Sequence, residues 1–400
     1  MDIHLDWNGV APGSIAPGSA AMRALFPLDP AVTQFNHGGY GVTPLPVSAA
    51  RDAWRRRVEA NPTAFFFQHD FVARVRAAAG RVAGLLGGRG EDWVFVPNAT
   101  AGLNAVIQAV DLAPGDEILL TDHGYNAVKQ AALRWTARAG AAVRVAALPW
   151  PDATADGIVA AISAGITSRT RLVIVDHITS PTSLTLPVAR IAALCRDAGM
   201  PLAVDGAHAP GHIAALDAPS LGADVYVGNL HKWAYAPRAL GALWASPAWQ
   251  TRLHPTVISH GYGQGFTAEF DWQGTVDPTP VLTVDAAFAF AEALGRGRLA
   301  AWSRATLDVA LPALMTSLGS NATTPAELRA PAMATIALPE SAGVDVDAAM
   351  SLRRRMRERH GAEIQIVPFA GRLWLRVCAT PYLDVADFER LARALRAEIG

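Results

Sequence analysis

From about residue 92 onward, short apolar runs rich in β-branched residues alternate with helix-length amphipathic stretches, and this cadence restricts the fold more than any other feature of the chain. Runs such as RLVIVDHI and PLAVDGAH are too short for a core helix and too continuously apolar for a strand with one wet face. They fit a sheet covered on both sides. WVFVP leads into a helix from about Thr100 to Val110, EILLTD into one from Asn126 to Ala139, and VRVAALP precedes a helix around Ile158 to Ala164. RLVIVDHI is followed by PVARIAALCRDAGM, in which Val188, Ile191, Leu194 and Cys195 share one face at helical spacing. PLAVDGAH, DVYVGNLHK and ALGALWAS then follow with short connections. The expected architecture is α/β, a mixed and mostly parallel sheet with helices on its faces.

A chain of 400 residues exceeds the size at which one core stops growing, so two domains are expected. After about Thr283 the pattern changes to helical AAFAFAEAL, strand-like MATIALP, a basic helix MSLRRRMRERHG, strands EIQIVPF and RLWLRVCA, and a closing helix DFERLARALRAEI. The division this suggests is an irregular N-terminal arm over 1–35, a large domain over 36–285 and a smaller α+β domain over 286–400. No internal repeat or low-complexity linker interrupts it.

Composition narrows the function classes. Hydrophobic residues make up 51% of the chain and mean hydropathy is +0.20, yet charge, Pro or Gly breaks every apolar stretch before it reaches spanning length. No membrane association is expected. The amino terminus carries acidic residues where a signal peptide would place positive charge, which points to a cytoplasmic protein. A formal net charge of -1 offers no long-range attraction to nucleic acid, and RDAWRRR at 51–57 reads as a solvated helix face. Cys195 and Cys378 lie in apolar contexts suited to buried thiols rather than to a disulfide.

Of the 34 basic residues, only Lys129 and Lys232 are lysines. Drift from lysine to arginine would account for the count alone. Arginine replaces lysine in most roles, but a guanidinium stays protonated, whereas a desolvated ε-amine loses its proton and attacks a carbonyl. Lys129 sits in the helix-length NAVKQAALRWTARAG, where arginine would serve. Lys232 ends DVYVGNLHK, beside His231, at the carboxyl end of an apolar run, where α/β sheets gather ligands. Asp205 is the first charged residue after PLAV, so its carboxylate needs a cationic partner such as a protonated pyridine nitrogen. Asn98, Ala99 and Thr100 stand where a strand turns into a helix, and backbone N–H groups with the Thr100 hydroxyl suit a phosphate. A lysine, a buried carboxylate and a phosphate-binding helix start are what pyridoxal 5'-phosphate (PLP) requires.

FNHGGYGVTPLPV, VFVPNATAGLNAVI, TDHGYNAV, VDHITSPTSLTLPV, VDGAHAPGH, GNLHKWAYAPRALGALW, ISHGYG and FDWQGTVDPTP together resemble the isopenicillin N epimerase-like branch of the class V aminotransferase family, from about residue 34 to the C-terminus. The resemblance implies the PLP-dependent transferase fold type I, like that of aspartate aminotransferase, and PLP as cofactor. By the same resemblance Lys232 forms the imine with PLP, Asp205 pairs with the pyridine nitrogen and His208 hydrogen-bonds the phenolic oxygen. Ala99, Thr100 and His231 hold the phosphate, with Asn229 where relatives often have Ser, and Thr275 reaches the phosphate of a neighbouring subunit. A homodimer with shared sites follows. TDHGYN stands where relatives stack an aromatic ring on the cofactor; the aligned residue is Gly124, which leaves His123 or Tyr125 for that task. Ser180 falls where many relatives carry Asn near the cofactor oxygen. Arg376 resembles the arginine that clamps the substrate α-carboxylate, for which a bidentate fork is suited, although the PYLD that follows departs from the usual tyrosine-asparagine ending. Asn36 and His37, in the Gly-rich NHGGYG turn, are expected to approach the substrate.

The substrate is then a small amino acid or a derivative of one. Every outcome in the family passes through an α-carbanion: reprotonation from the opposite face gives an epimerase, loss of a β-substituent a C–S lyase, and proton return to the cofactor a transaminase. Epimerisation is the first expectation, with Lys232 as one base and Tyr125 or His123 as the other; a cysteine or cystine C–S lyase is the alternative. A class V aminotransferase follows, then a cysteine desulfurase, which needs a mobile cysteine. Outside this class, Asp205, His208 and His212 have a DxxHxxxH spacing that would suit a metal-dependent hydrolase, a reading that leaves Lys232 without a role; no metal is expected. A PLP-binding regulator would need a DNA-binding extension, which the short N-terminal arm does not suggest. His177, His212, His254 and His260 read as structural hydrogen-bonders, and Trp233, Trp244 and Trp272 as packing residues.

Overall fold

The computed structural model describes Leu5, Trp7, residues 11–68 and residues 70–400. The part of the expected N-terminal arm at 1–4, 6 and 8–10 lies outside the described residues. Twelve strands are present among them: β1 (Thr33–Gln34), β2 (Trp93–Val96), β3 (Glu117–Thr121), β4 (Ala142–Ala146), β5 (Thr170–Asp176), β6 (Leu202–Asp205), β7 (Val225–Asn229), β8 (Gly241–Ala245), β9 (Met333–Ala337), β10 (Ala362–Glu363), β11 (Gln365–Phe369) and β12 (Arg372–Cys378).

The large sheet has the order β2-β8-β7-β6-β5-β3-β4. Its ladders β7–β6–β5–β3–β4 are parallel, whereas β8 runs antiparallel to both β7 and β2. The carboxyl ends of β2, β3, β5, β6 and β7 therefore open on one edge. The period of two along each strand sends alternate residues to opposite cores. In β5, Val173 and Val175 join one apolar cluster, and Leu172 and Ile174 the other. The helices Ala99–Gln108, Asn126–Ala139, Ala155–Gly165 and Val188–Asp197 cover these faces, as their spacing predicts. Val188, Ile191 and Cys195 are buried, and Leu194 lies partly buried at the rim.

The second sheet, β11-β12-β9, is antiparallel, and β1 pairs in parallel with β10. The basic helix forms over Val346–His360 and the closing helix over Val385–Ile399, which begins at an Asp384 capping box. The longest element that escapes the pattern reading of the sequence is the helix Arg296–Leu318. Its buried stripe runs Leu299, Ser303, Leu307, Ala310, Leu311, Leu314 and Leu318. Interior Pro312 and buried Ser303 and Thr306 disguise that stripe, because proline reads as a helix breaker and hydroxyls as a wet face. Among the described residues no helix is long and apolar enough to cross a membrane.

The lysine segment depends on one backbone approach. Gly41 has φ +69°, and a Cβ there would stand 1.9 Å from the carbonyl oxygen of His231. No side chain fits between that turn and the residues leading into Lys232. We expect Gly41→Ala to destabilise the protein by about 2 kcal/mol or more, combining left-handed strain with a backbone clash. A lowered Tm together with weaker PLP retention would show it; an unchanged Tm would refute it.

Candidate active site

Lys232 leaves the carboxyl end of β7 and is buried, 9% exposed. Burial, reinforced by the Arg376 cation, lowers its amine to about 8, although Asp205 and Asp176 pull the other way. The segment is pinned through its backbone. His37 Nε2 donates to the Lys232 carbonyl at 2.8 Å while His37 Nδ1 accepts from the Tyr382 hydroxyl at 3.0 Å. Both ring nitrogens are thus engaged, and burial holds the imidazole at about 4, so it is neutral. His37 is not free to meet a substrate, contrary to the expectation from sequence; it positions the lysine.

Asp205, the last residue of β6, is buried, and Ala207 N–H donates to its Oδ1 at 2.9 Å. His208, one turn further, places Nε2 3.4 Å from the Lys232 amine, and the Trp233 indole approaches its Nδ1 at 3.5 Å. The indole N–H is a donor only, so the proton of a neutral His208 lies on Nε2 and faces the Lys232 amine. Trp233 also stacks on His212 with centroids 4.0 Å apart, so it is part of the site wall rather than packing alone. The DxxHxxxH spacing builds no ligand set: His212 Nδ1 donates to the His208 carbonyl and its Nε2 accepts from Ala332 N–H at 2.7 Å. No group of His, Cys, Asp and Glu among the described residues is arranged to hold a metal ion.

At the start of the helix Ala99–Gln108, the expected donors divide unequally. Ala99 N–H is taken by Asn229 Oδ1 at 2.8 Å, and Ala101 N–H by the Asn98 cap at 3.0 Å. Asn229 therefore occupies the Ala99 donor that the phosphate reading needs. Thr100, between them, keeps its N–H and hydroxyl for a ligand. His231 donates from Nδ1 to the Leu240 carbonyl at 2.9 Å and is held at about 4 by burial, so its Nε2 is an acceptor until a nearby anion favours its protonation. Thr275 lies exposed in the turn after the helix Phe266–Asp271, outside the buried cluster around Lys232.

Across the chamber, β12 carries Arg376, also buried. Its Nη1 donates to the Ser180 carbonyl at 2.8 Å and hydroxyl at 2.9 Å, and its Nη2 to Asn36 Oδ1 at 2.8 Å. Ser180 and Asn36, expected beside the cofactor and the substrate, instead orient this guanidinium. The buried Nε–H has no acceptor among the described residues, a costly orphan that an incoming carboxylate would satisfy. His123 is fully buried, its Nδ1 2.7 Å from the Thr182 hydroxyl and its Nε2 unpartnered, with Phe369 and Trp150 edge-on to the ring. Tyr125, at 47% exposure, is the N-cap residue of the helix Asn126–Ala139 and makes no side-chain cap hydrogen bond. Cys378 lies on the Arg376 side of β12 by strand alternation and accepts Gly38 N–H at 3.3 Å. Burial pushes its thiol up, and Cys195, inside its helix, goes up to about 12.

The residues present fit PLP: a buried lysine whose amine is lowered to about 8, a buried carboxylate on the next strand, Thr100 donors at the helix start and, among the described residues, orphaned polar atoms at His123 Nε2 and Thr121 Oγ1. What the sequence reading missed is Asp176, the last residue of β5, buried beside Asp205. The rule that singled out Asp205, a first charge after an apolar strand, applies equally to RLVIVD. The Phe369, Trp150 and Trp374 wall was also missed, because its members come from segments far apart in the chain.

Two outcomes follow. Lys232→Arg should abolish the borohydride-reducible link to PLP, whereas Lys129→Arg, on the exposed side of its helix, should leave it intact; peptide mapping after reduction decides. In the cofactor-free protein, the rate of that link's formation should rise with pH through about 8 and level off above it, because only the unprotonated amine attacks.

Comparison with known proteins agrees with this geometry. The family model described as aminotransferase class-V matches residues 42–372. A putative L-cysteine desulfhydrase 2 of Oryza sativa subsp. japonica is 32% identical over 88% of this chain and 78% of its own length. The isopenicillin N epimerase of Amycolatopsis lactamdurans is 33% identical over 96% and 99%. In fold, a solved structure of a C-DES mutant with glycine covalently linked to the PLP cofactor superposes with a TM-score of 0.81 at 21% identity, covering 94% of this chain and 99% of that one. The chain thus belongs to the class V aminotransferase family and is a PLP-dependent enzyme with a fold type I architecture.

Proposed function

We propose that the enzyme removes the α-proton of an amino acid, or of an amino-acid-derived substrate, and returns a proton to the opposite face, acting as an epimerase. The observation that carries this is a buried lysine amine lowered to about 8, in the electrostatic reach of an arginine whose buried Nε–H lacks an acceptor among the described residues. PLP, when bound, supplies the electron sink that makes the α-proton acidic. Asp205 keeps a proton on the ring nitrogen, Thr100 and a protonated His231 hold the phosphate, and Arg376, steadied by Ser180 and Asn36, fixes the α-carboxylate. Lys232 takes the proton from its own side.

For the opposite face we assign Tyr125. Its phenol is exposed at the start of the helix Asn126–Ala139, two residues beyond His123, whereas His123 is neutral, lowered to about 4 by burial, and tied to Thr182. His123 is then the ring that bounds the cofactor space. The near end-to-end match to an epimerase supports this reading. Thr275 and a second subunit complete the phosphate site in it, since Thr275 is exposed and unused within the chain.

The second reading is a C–S lyase, favoured by the L-cysteine desulfhydrase relative at similar identity. Transamination has no observation of its own here. A persulfide-forming desulfurase is disfavoured because Cys195 and Cys378 are buried in a helix and a strand.

Incubation with a panel of L-amino acids in deuterium oxide separates the readings. The expected result is α-deuterium with inverted configuration and neither keto acid nor sulfide; sulfide and pyruvate from L-cysteine without inversion would establish the lyase instead. Tyr125→Phe should slow inversion about tenfold or more while exchange with retention continues, as removal of one general acid predicts. Arg376→Lys should raise KM by about tenfold or more, because a point charge replaces the fork.

A further inference from the structure

The two strand-end carboxylates are neighbours by construction. In the parallel ladder of β5 and β6, Asp176 is the register partner of Asp205. In-register residues on adjacent strands project to the same face, about 4.8 Å apart at the backbone. Both are buried. Their surroundings differ, however. Asp205 accepts the Ala207 N–H at 2.9 Å. Among the described residues, the only hydrogen bond acting on the Asp176 carboxyl comes from its own backbone amide, and the charges it feels are those of Asp205 and Lys232.

The loop after β3 presents no side chain to Asp176 at residue 124. The Asp176 Oδ2 would stand 3.6 Å from a Cβ there, but that residue is glycine, and the nearby Thr121 hydroxyl has no hydrogen-bond partner among the described residues.

We propose that Asp176 is a positioning residue of the cofactor chamber, a neutral carboxylic acid that stands beside Asp205 so that the pair presents one negative charge to the one ring cation. This rests on the pairing of Asp205 with the ring nitrogen proposed above. Two adjacent buried carboxylates do not both ionise cheaply, and the proton stays on the one with fewer donors. Ala207 makes Asp205 the better-stabilised anion, which leaves the proton to Asp176. Burial and the Asp205 charge both raise Asp176, in that order, and Lys232 opposes them without a direct contact. A neutral acid donates a hydrogen bond that a carboxylate cannot. Ionisation of Asp176 at high pH would double the negative charge facing the cofactor.

Infrared spectroscopy of the PLP-loaded protein tests this. At a pH well above the value of about 6 to which burial pushes Asp271, a further carboxyl, besides Asp176 and Asp205, raised by desolvation, the native protein should retain a protonated-carboxyl stretch that shifts in deuterium oxide. Asp176→Asn should lack it, and should also lack an alkaline step in the visible absorption of the holoenzyme. If Asp176→Asn does not fold, Asp176→Ser, smaller and equally uncharged, takes its place. A native protein without the band, or a variant that keeps it, overturns the proposal. PLP affinity distinguishes this failure from that of the underlying reading. Asp205→Asn should bind PLP about tenfold or more weakly than the native protein. Native-like binding by Asp205→Asn would sink the ring-nitrogen pairing, whatever the band shows.

Discussion

The site depends on an amine kept out of water at the end of β7. Desolvation lowers Lys232 to about 8, and it does so only because the neighbouring groups are arranged not to undo it. Two carboxylates at the same sheet edge would normally restore a lysine's charge. Here one of them is engaged by a backbone N–H and both are themselves raised by burial, while Arg376 presses from the other side. The chamber is a set of opposed electrostatic demands that only a fixed geometry can hold in balance.

That geometry comes from parts of the chain far apart in sequence. His37, in an N-terminal turn, holds the carbonyl of Lys232; Tyr382, near the C-terminus, holds His37. Asn36 and Ser180 together aim Arg376, so the Gly-rich turn, the loop after β5 and the small sheet converge on one guanidinium. The parallel register brings Asp176 next to Asp205 without any local sequence signal linking them. Each contact is modest, but among the described residues the arrangement leaves polar atoms unmet at Arg376 Nε and His123 Nε2. In a buried site such orphans are costly unless a ligand meets them.

Much of the fold was legible because hydrophobic period and length report secondary structure directly. The helix Asn126–Ala139 falls where its apolar spacing places it, and β6, β7 and β8 are buried on both faces as their unbroken apolar runs require. The helix Arg296–Leu318 was not legible, because a tertiary core accepts a proline and buried hydroxyls that a local rule rejects. In the site, Lys232 and Asp205 could be picked out as first charges after apolar strands. The tasks of His37, Asn36, Ser180 and Asn229 could not, since each depends on a partner more than a hundred residues away.

The sequence alone determined the sheet with helices on its faces and singled out Lys232 and Asp205 as candidates for imine chemistry, because these follow from local patterning and from which side chains can do that chemistry. Only the tertiary structure decided which of the polar residues face the cofactor space and which are spent holding others in place. The reason is physical: a hydrogen bond or a desolvation penalty belongs to a pair or an enclosure, and neither exists until distant segments pack together.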